Sequence, residues 1–384
     1  MSFEFATATR IVFAEGAVRQ IAPAVRQFCR RALMVTGRTR ERSRRLCDKL
    51  SAAGVCSSPF DVPGEPTIDL VRRGVEFARQ ERCDAVIALG GGSVMDAGKA
   101  IAALLTNPGE LLDYLEVVGK GNALPNPGVP FVSVPTTAGT GTEVTRNAVL
   151  GVPEKKFKVS LRSPFLLARL AVVDPELTLG LPPEVTARTG LDALTQLIEP
   201  YVSIRANAMV DGFCRQGIPL VGRSLRRAFH HSDDRTARSD MSLAALFSGL
   251  SLANAGLGVV HGFAAPLGGR FPAPHGAVCA AILPNGMEAN LRALRARAPE
   301  SDTLGRYQDV GRLLTGKPDA TAEDGIAWVR DTCQELEIPP LRAYGIGAAD
   351  VPSLVAEAAK ASSMKANPLP LTAEELAEVL RKSM

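Results

Sequence analysis

Histidine is scarce in this chain, with four in 384 residues, and tryptophan occurs once. No two of the seven cysteines (29, 47, 56, 83, 214, 279 and 333) are spaced as Cys-x-x-Cys, and their number is odd. That argues against a disulfide framework or a zinc ribbon. No apolar run reaches the length of a membrane span. The start, MSFEFATATRIVF, lacks the basic and apolar regions of a secretory signal. A net charge of +4 over this length gives no concentrated basic surface for nucleic acid or membrane. The basic run RTRERSRRL, residues 38–46, reads as the solvated face of a helix. A reduced, cytoplasmic protein is expected, and its length suggests two domains.

The first half alternates short apolar runs with helical stretches. Residues 9–13 (TRIVF) read as an edge strand. Residues 32–36 (ALMVT), 85–89 (AVIAL), 131–134 (FVSV) and 170–174 (LAVVD) read as buried strands. Such runs suit a mostly parallel sheet covered by helices on both faces. The helices between them, 68–81 for example, show 3.6-residue periodicity. Ligands of such a sheet bind at the carboxyl ends of its strands. After Gly180-Leu181-Pro182-Pro183 only helical patterns remain, with helices expected at 184–201 and 240–255. Pro266, Gly268-Gly269 and residues 272–276 are expected to punctuate them. The expected division is an α/β nucleotide-binding domain over 1–180 and an all-helical metal-binding domain over 181–384.

Two loops have the chemistry of a dinucleotide site. AVIALGGGSVMDAGKA is a strand, a triple-glycine turn and a helix start. Gly90, Gly91 and Gly92 let the backbone approach an anion, and the helix from Ser93 turns free N–H groups toward a phosphate. The spacing is neither G-x-G-x-x-G nor a P-loop, since Gly98-Lys99 is followed by Ala100. The second loop, VPTTAGTGTEVT (134–145), places five threonines and two glycines directly after a strand. Two of the rare histidines, His261 in GLGVVHGFAAPLGG and His275 in FPAPHGAVCAAILP, lie in Gly-rich apolar segments where a solvated imidazole has little reason to be. With Asp192 upstream they make a ligand set for one divalent cation. By contrast, His230-His231 reads as a solvated loop, Cys279 as core rather than nucleophile, and Trp328 as packing.

GGGSVMDAGK, PTTAGTGTEVT, GLDALTQLIEPYVS and GLGVVHGFAAPLGGRFPAPHG together resemble the iron-containing (group III) alcohol dehydrogenase family, in order and from about residue 5 onward. The resemblance implies a dehydroquinate synthase-like fold, with an α/β nucleotide-binding domain followed by a helical one, and reversible hydride transfer between an alcohol and NAD or NADP. It implies that Gly91, Gly92, Ser93 and Asp96 hold the pyrophosphate region. Thr136, Thr137, Thr140, Thr142, Asn147 and Lys158 would contact the cofactor. Asp192, His261 and His275 would bind a catalytic Fe2+ or Zn2+ that polarises the substrate oxygen.

The chain departs from the family at two places. Gln196 stands where the family usually has a histidine, one helical turn after Asp192, and either reaches the metal through its amide oxygen as a weaker ligand or leaves a site of three ligands, as the resemblance to glycerol dehydrogenases implies. Ala265 stands where many members carry another histidine. Gly37, where an acidic residue would hold the adenosine ribose and repel a 2′-phosphate, leaves Arg38 or Arg40 free to pair with that phosphate, so NADP is expected to be accepted. The expected partners are a small alcohol or aldehyde and further copies of the chain, as a homodimer or larger homo-oligomer. Two other readings are a maleylacetate-reductase-like enzyme, its carboxylated oxo substrate held by Arg270 or Arg146, and a metal-free nucleotide-binding protein without turnover.

Overall fold

Six parallel strands carry the first half of the chain. The computed structural model describes residues 2–37, 40–116, 119–155 and 157–384, apart from the side chains of Arg40, Arg42 and Lys155. The strands are β1 (Ile11–Phe13), β2 (Arg31–Thr36), β3 (Cys56–Asp61), β4 (Ala85–Gly90), β5 (Phe131–Pro135) and β8 (Leu170–Val173). They are ordered β1-β8-β5-β4-β2-β3, every pair parallel. A separate antiparallel hairpin joins β6 (Asn147–Val152) to β7 (Phe157–Arg162). The helices of this half are α1 (Ile21–Arg26), α2 (Arg40–Ala52), α3 (Ile68–Gln80), α4 (Gly92–Leu104) and α5 (Leu111–Tyr114).

The period of two along a strand sends alternate side chains to opposite faces. Ala32 and Met34, Ala85 and Ile87, Val132 and Val134, and Leu170 and Val172 meet Val25 of α1 and Leu46 and Leu50 of α2. On the other face α4 packs so tightly that a Cβ at Gly98 would stand 2.9 Å from both Ala88 and Phe131. β3 was not among the expected strands. Its sequence, CSSPFD, is half polar and contains a proline, which a sheet edge tolerates. The β6–β7 hairpin was likewise not expected, although β6 buries every second residue.

The strand order reverses between β2 and β4. From β2 the chain runs outward to β3, then returns to place β4 on the other side of β2. Open α/β sheets bind ligands at such a reversal, beyond the carboxyl ends of the strands. There Thr36 is in register with Leu89, so Gly37 and the triple-glycine turn emerge side by side.

Beyond Val173 the described residues form no strand. The helices are α6 (Pro183–Val202), α7 (Ala208–His230), α8 (Arg235–Ala255), α9 (Val259–Arg270), α10 (His275–Arg297), α11 (Asp302–Thr315), α12 (Ala322–Glu335), α13 (Val351–Ala358) and α14 (Ala373–Lys382). The chain forms two compact units. One holds Ala6–Thr137 and Gly141–Thr178, and the other holds the segment up to Phe5, Ala138–Thr140 and Leu179–Met384. The helix starts follow local chemistry. Pro183 opens α6, and Asn207, Asp234, Ser301, Thr321 and Thr372 cap α7, α8, α11, α12 and α14 with their side chains.

Two expectations need correction. Pro266 and Gly268-Gly269 do not interrupt the chain but lie inside α9, whose Val260, His261, Phe263, Ala264 and Leu267 are all buried. Burial there outweighs the intrinsic cost of proline and glycine in a helix. His230-His231 is exposed as expected, but only His231 lies outside a helix. His230 is the last residue of α7, and its Nε2 lies 2.9 Å from Glu335 Oε1. Among the described residues no single helix is long and apolar enough to cross a membrane.

Candidate active site

The helical unit brings four donor groups together. Asp192 lies mid-way along α6, His261 at the start of α9, and His275 and Cys279 one turn apart on α10. Asp192 Oδ1 stands 3.5 Å from His261 Nε2 and 3.6 Å from His275 Nε2. Cys279 Sγ stands 3.8 Å from His261 Nε2 and 3.7 Å from His275 Nε2. One ligand atom from each residue lies within 4.8 Å of every other. Asp192 and His261 are buried, whereas 41% of the His275 side chain is exposed, so the cluster opens on the His275 side.

Asp192 Oδ1 is buried and accepts no hydrogen bond. An orphaned carboxylate oxygen is costly unless a cation satisfies it. Burial alone would raise the Asp192 pKa, but the two imidazoles outweigh it and hold the carboxyl below its ordinary value. Burial likewise pulls His261 down, yet the Cys279 sulfur, Asp192 and Glu199 reverse this and hold it well above 6.5. The same balance, with Cys279 and Asp192 against burial, raises His275. Negative groups thus converge on two imidazole nitrogens, and this donor set fits a divalent metal.

Glu199, unexpected from the sequence, orients the site. Its Oε2 accepts from His261 Nδ1 at 2.7 Å, and its Oε1 accepts from the Val260 N–H at 2.7 Å. In the neutral ring the proton is thereby kept on Nδ1, and the Nε2 lone pair faces Asp192 and Cys279. The adjacent Val259 N–H donates to Asn367 Oδ1, so two orphan donors of the α9 terminus are satisfied by side chains. Gly258 makes this approach feasible, since a Cβ there would stand 2.7 Å from Asn367 Oδ1 and 3.0 Å from Glu199 Oε1. The signal in the sequence is an acid seven residues after Asp192, hence on the same helical face, within the apolar stretch LIEPYV.

Gln196 is buried one turn after Asp192, and its Oε1 accepts from the Ser248 hydroxyl at 2.9 Å. Arg270, considered for a substrate carboxylate, is held by Ser353, Glu357 and Asp350. Arg146 is exposed. Cys279, read as core, is fully buried but faces the histidines.

In the α/β unit, α4 starts at Gly92, one residue earlier than expected, with Gly91 as an N-cap that offers no side-chain acceptor. A Cβ at Gly91 would touch Thr137 Oγ1 at 3.4 Å, and the Thr136 N–H donates to Gly90 O. The two expected phosphate loops therefore meet, Gly90 and Gly91 against Thr136 and Thr137. Asp96 lies one turn further along α4. Thr142 sits buried in a 3-10 turn, while Thr140 belongs to the helical unit. Asn147 opens β6, and Lys158 on β7 pairs with Glu65. Gly37 follows β2, whereas Arg38 and the Arg40 side chain lie outside the described residues.

Lys99 belongs to no phosphate-binding motif, yet it is buried and pins the far end of the threonine loop. Its Nζ donates to Thr145 O at 2.7 Å, Thr145 Oγ1 at 2.9 Å and Asn147 O at 3.1 Å. Burial lowers its pKa, against the pull of Asp96 and Glu143, and burial raises that of Glu143.

Known proteins share this architecture. The profile described as iron-containing alcohol dehydrogenase matches residues 8–175, and that of the C-terminal part of the Fe-containing alcohol dehydrogenase family matches residues 186–384. Alcohol dehydrogenase 4 of Schizosaccharomyces pombe is 36% identical over 84% of this chain and 74% of its own. A crystal structure of 1,3-propanediol oxidoreductase superposes with a TM-score of 0.93 at 32% identity, over all of both chains. Sulfoacetaldehyde reductase of Bifidobacterium kashiwanohense, solved in complex with NAD+, superposes with a TM-score of 0.87 at 26% identity, over 99% of this chain and 98% of its own.

Proposed function

The chain belongs to the iron-containing alcohol dehydrogenase family, and from that premise we propose how its own residues carry out the reaction. It is an oxidoreductase of the alcohol dehydrogenase class (EC 1.1.1.-). Asp192, His261 and His275 hold one divalent metal, Fe2+ or Zn2+, with Gln196 and Cys279 as neighbours able to complete the set. The observation that carries this reading is the buried Asp192 Oδ1, without a hydrogen-bond donor but facing two imidazole nitrogens. The metal supplies Lewis acidity, lowering the pKa of the alcohol substrate. Glu199 keeps the His261 lone pair aimed, and the exposed edge of His275 marks the side from which substrate approaches.

NAD or NADP would supply the hydride acceptor. Gly91, Gly92, Ser93 and Asp96 hold its pyrophosphate region, with Thr136, Thr137, Thr140, Thr142, Asn147 and Lys158 around it. The meeting of the two loops at the strand-order reversal supports this placement. The occupation of Arg270 by Asp350 and Glu357 favours an uncharged alcohol or aldehyde over a carboxylated oxo substrate. Seven free thiols suit a reducing cytoplasm.

Two measurements test the reading. The purified protein should oxidise NADH or NADPH with short aldehydes. Replacing His275 by Ala should remove metal and turnover together while leaving dinucleotide binding intact. A His275→Ala protein that keeps both its metal and its rate would refute the assignment.

A further inference from the structure

We propose that Cys279 Sγ, and not the amide of Gln196, is the fourth protein donor to the metal, and that it biases the site toward Zn2+ over Fe2+. The proposal rests on the reading that Asp192, His261 and His275 bind the ion. A tetrahedral ion with N or O donors at ~2.0–2.1 Å and sulfur at ~2.3 Å requires donor–donor edges of about 3.3–3.6 Å. Of the six edges among Asp192 Oδ1, the two Nε2 atoms and Cys279 Sγ, four are 3.5, 3.6, 3.7 and 3.8 Å, and all six lie within 4.8 Å. The sulfur thus occupies a vertex of the polyhedron that the other three donors begin.

Local structure explains how it gets there. His275 and Cys279 are four residues apart on α10, so their side chains leave one face of the helix as a two-pronged clip. Gln196 is also one turn from a ligand, but its amide already meets the Ser248 hydroxyl of α8 at 2.9 Å. The chemistry points the same way. A thiolate is anionic and soft and selects zinc, whereas a neutral amide oxygen is a hard, weak donor. Aspartate and thiolate together cancel the charge of a divalent ion, leaving both imidazoles neutral as ligands. Four protein donors still permit a fifth position for substrate, as zinc sites expand their coordination during reaction.

The test uses Co2+ as the probe ion. The whole metal-depleted protein is titrated with Co2+ and its visible and near-ultraviolet absorption recorded. Sulfur-to-cobalt charge transfer in the near-ultraviolet is expected for the wild type and for Q196A, and is lost in C279S and C279A. Both cysteine variants should also bind Zn2+ more weakly, by at least the ~10–100-fold that outer-shell partners alone cost. The wild-type spectrum decides the matter even if a variant folds poorly. Visible cobalt bands without the charge-transfer band overturn the proposal and leave the three-residue metal reading intact. No cobalt uptake at all overturns both, and a band that survives in C279S overturns the cysteine assignment.

Discussion

Glu199→Gln tests how the metal site is oriented, because it changes one atom of a carboxylate that serves two donors. Oε1 accepts from the Val260 N–H and Oε2 from His261 Nδ1, each at 2.7 Å. An amide has only one acceptor oxygen, so it cannot serve both. If the oxygen stays with Val260, the NH2 group faces Nδ1 and drives the imidazole proton to Nε2. That proton then sits on the nitrogen that must bind the metal. If the oxygen turns to His261, the buried Val260 N–H loses its acceptor and faces another donor. Loss of such an outer-shell partner weakens metal binding by ~10–100-fold, or about 1.4–2.7 kcal/mol. Competition with a chromophoric chelator reads the affinity, and imidazole 15N shifts of the metal-free protein, recorded at a pH high enough for a neutral His261, report the tautomer. Glu199→Ala should cost stability as well, ~1–3 kcal/mol for a buried N–H left bare. An unchanged metal affinity in Glu199→Gln, with His261 still protonated on Nδ1, would refute the reasoning.

Other outcomes follow from the same geometry. Lys99→Met should raise the KM for the dinucleotide and lower the melting temperature while leaving metal content unchanged, because each buried carbonyl left without its donor costs ~1–3 kcal/mol; equal KM and Tm would show that the clip on Thr145 and Asn147 is dispensable. Gly37→Asp should shift kcat/KM away from NADP toward NAD, and the substitution fits, since an added Cβ would stand 3.8 Å from Val94 Cγ2; a strong wild-type preference for NAD, unchanged by the aspartate, would contradict it. The pH dependence has opposite signs with and without metal. His261 and His275 are raised above 6.5 in the metal-free site, so their contribution to metal-free stability is complete below that value and is lost as pH rises through the raised folded values. Metal must displace those protons, so its affinity should climb over the same window and its uptake should release protons, which titration calorimetry in buffers of different ionisation enthalpy measures.

The parallel sheet, the glycine turn and the unusual setting of His261 and His275 were legible because each is written locally. A strand buried on both faces is apolar throughout, and an imidazole in an apolar Gly-rich segment stands out by composition alone. β3 escaped because an edge strand owes its pairing to β2 rather than to its own polar sequence. Pro266 read as a break because local propensity says so, and burial of α9 overrode it.

The site's finer chemistry was decided by packing between distant helices. Glu199 and His261 are 62 residues apart, and nothing in either segment announces the other. Cys279 looks like core in its own helix and meets the cluster only where α9 and α6 bring His261 and Asp192 against α10. Gln196 turns to Ser248 because α8 supplies a hydroxyl there. Lys99, buried in α4, finds its three acceptors 46 and 48 residues away at Thr145 and Asn147. Periodicity along a chain fixes which face a residue lies on. Which donor meets which acceptor across two faces depends on how helices pack, and that is set by the side-chain volumes of the whole core.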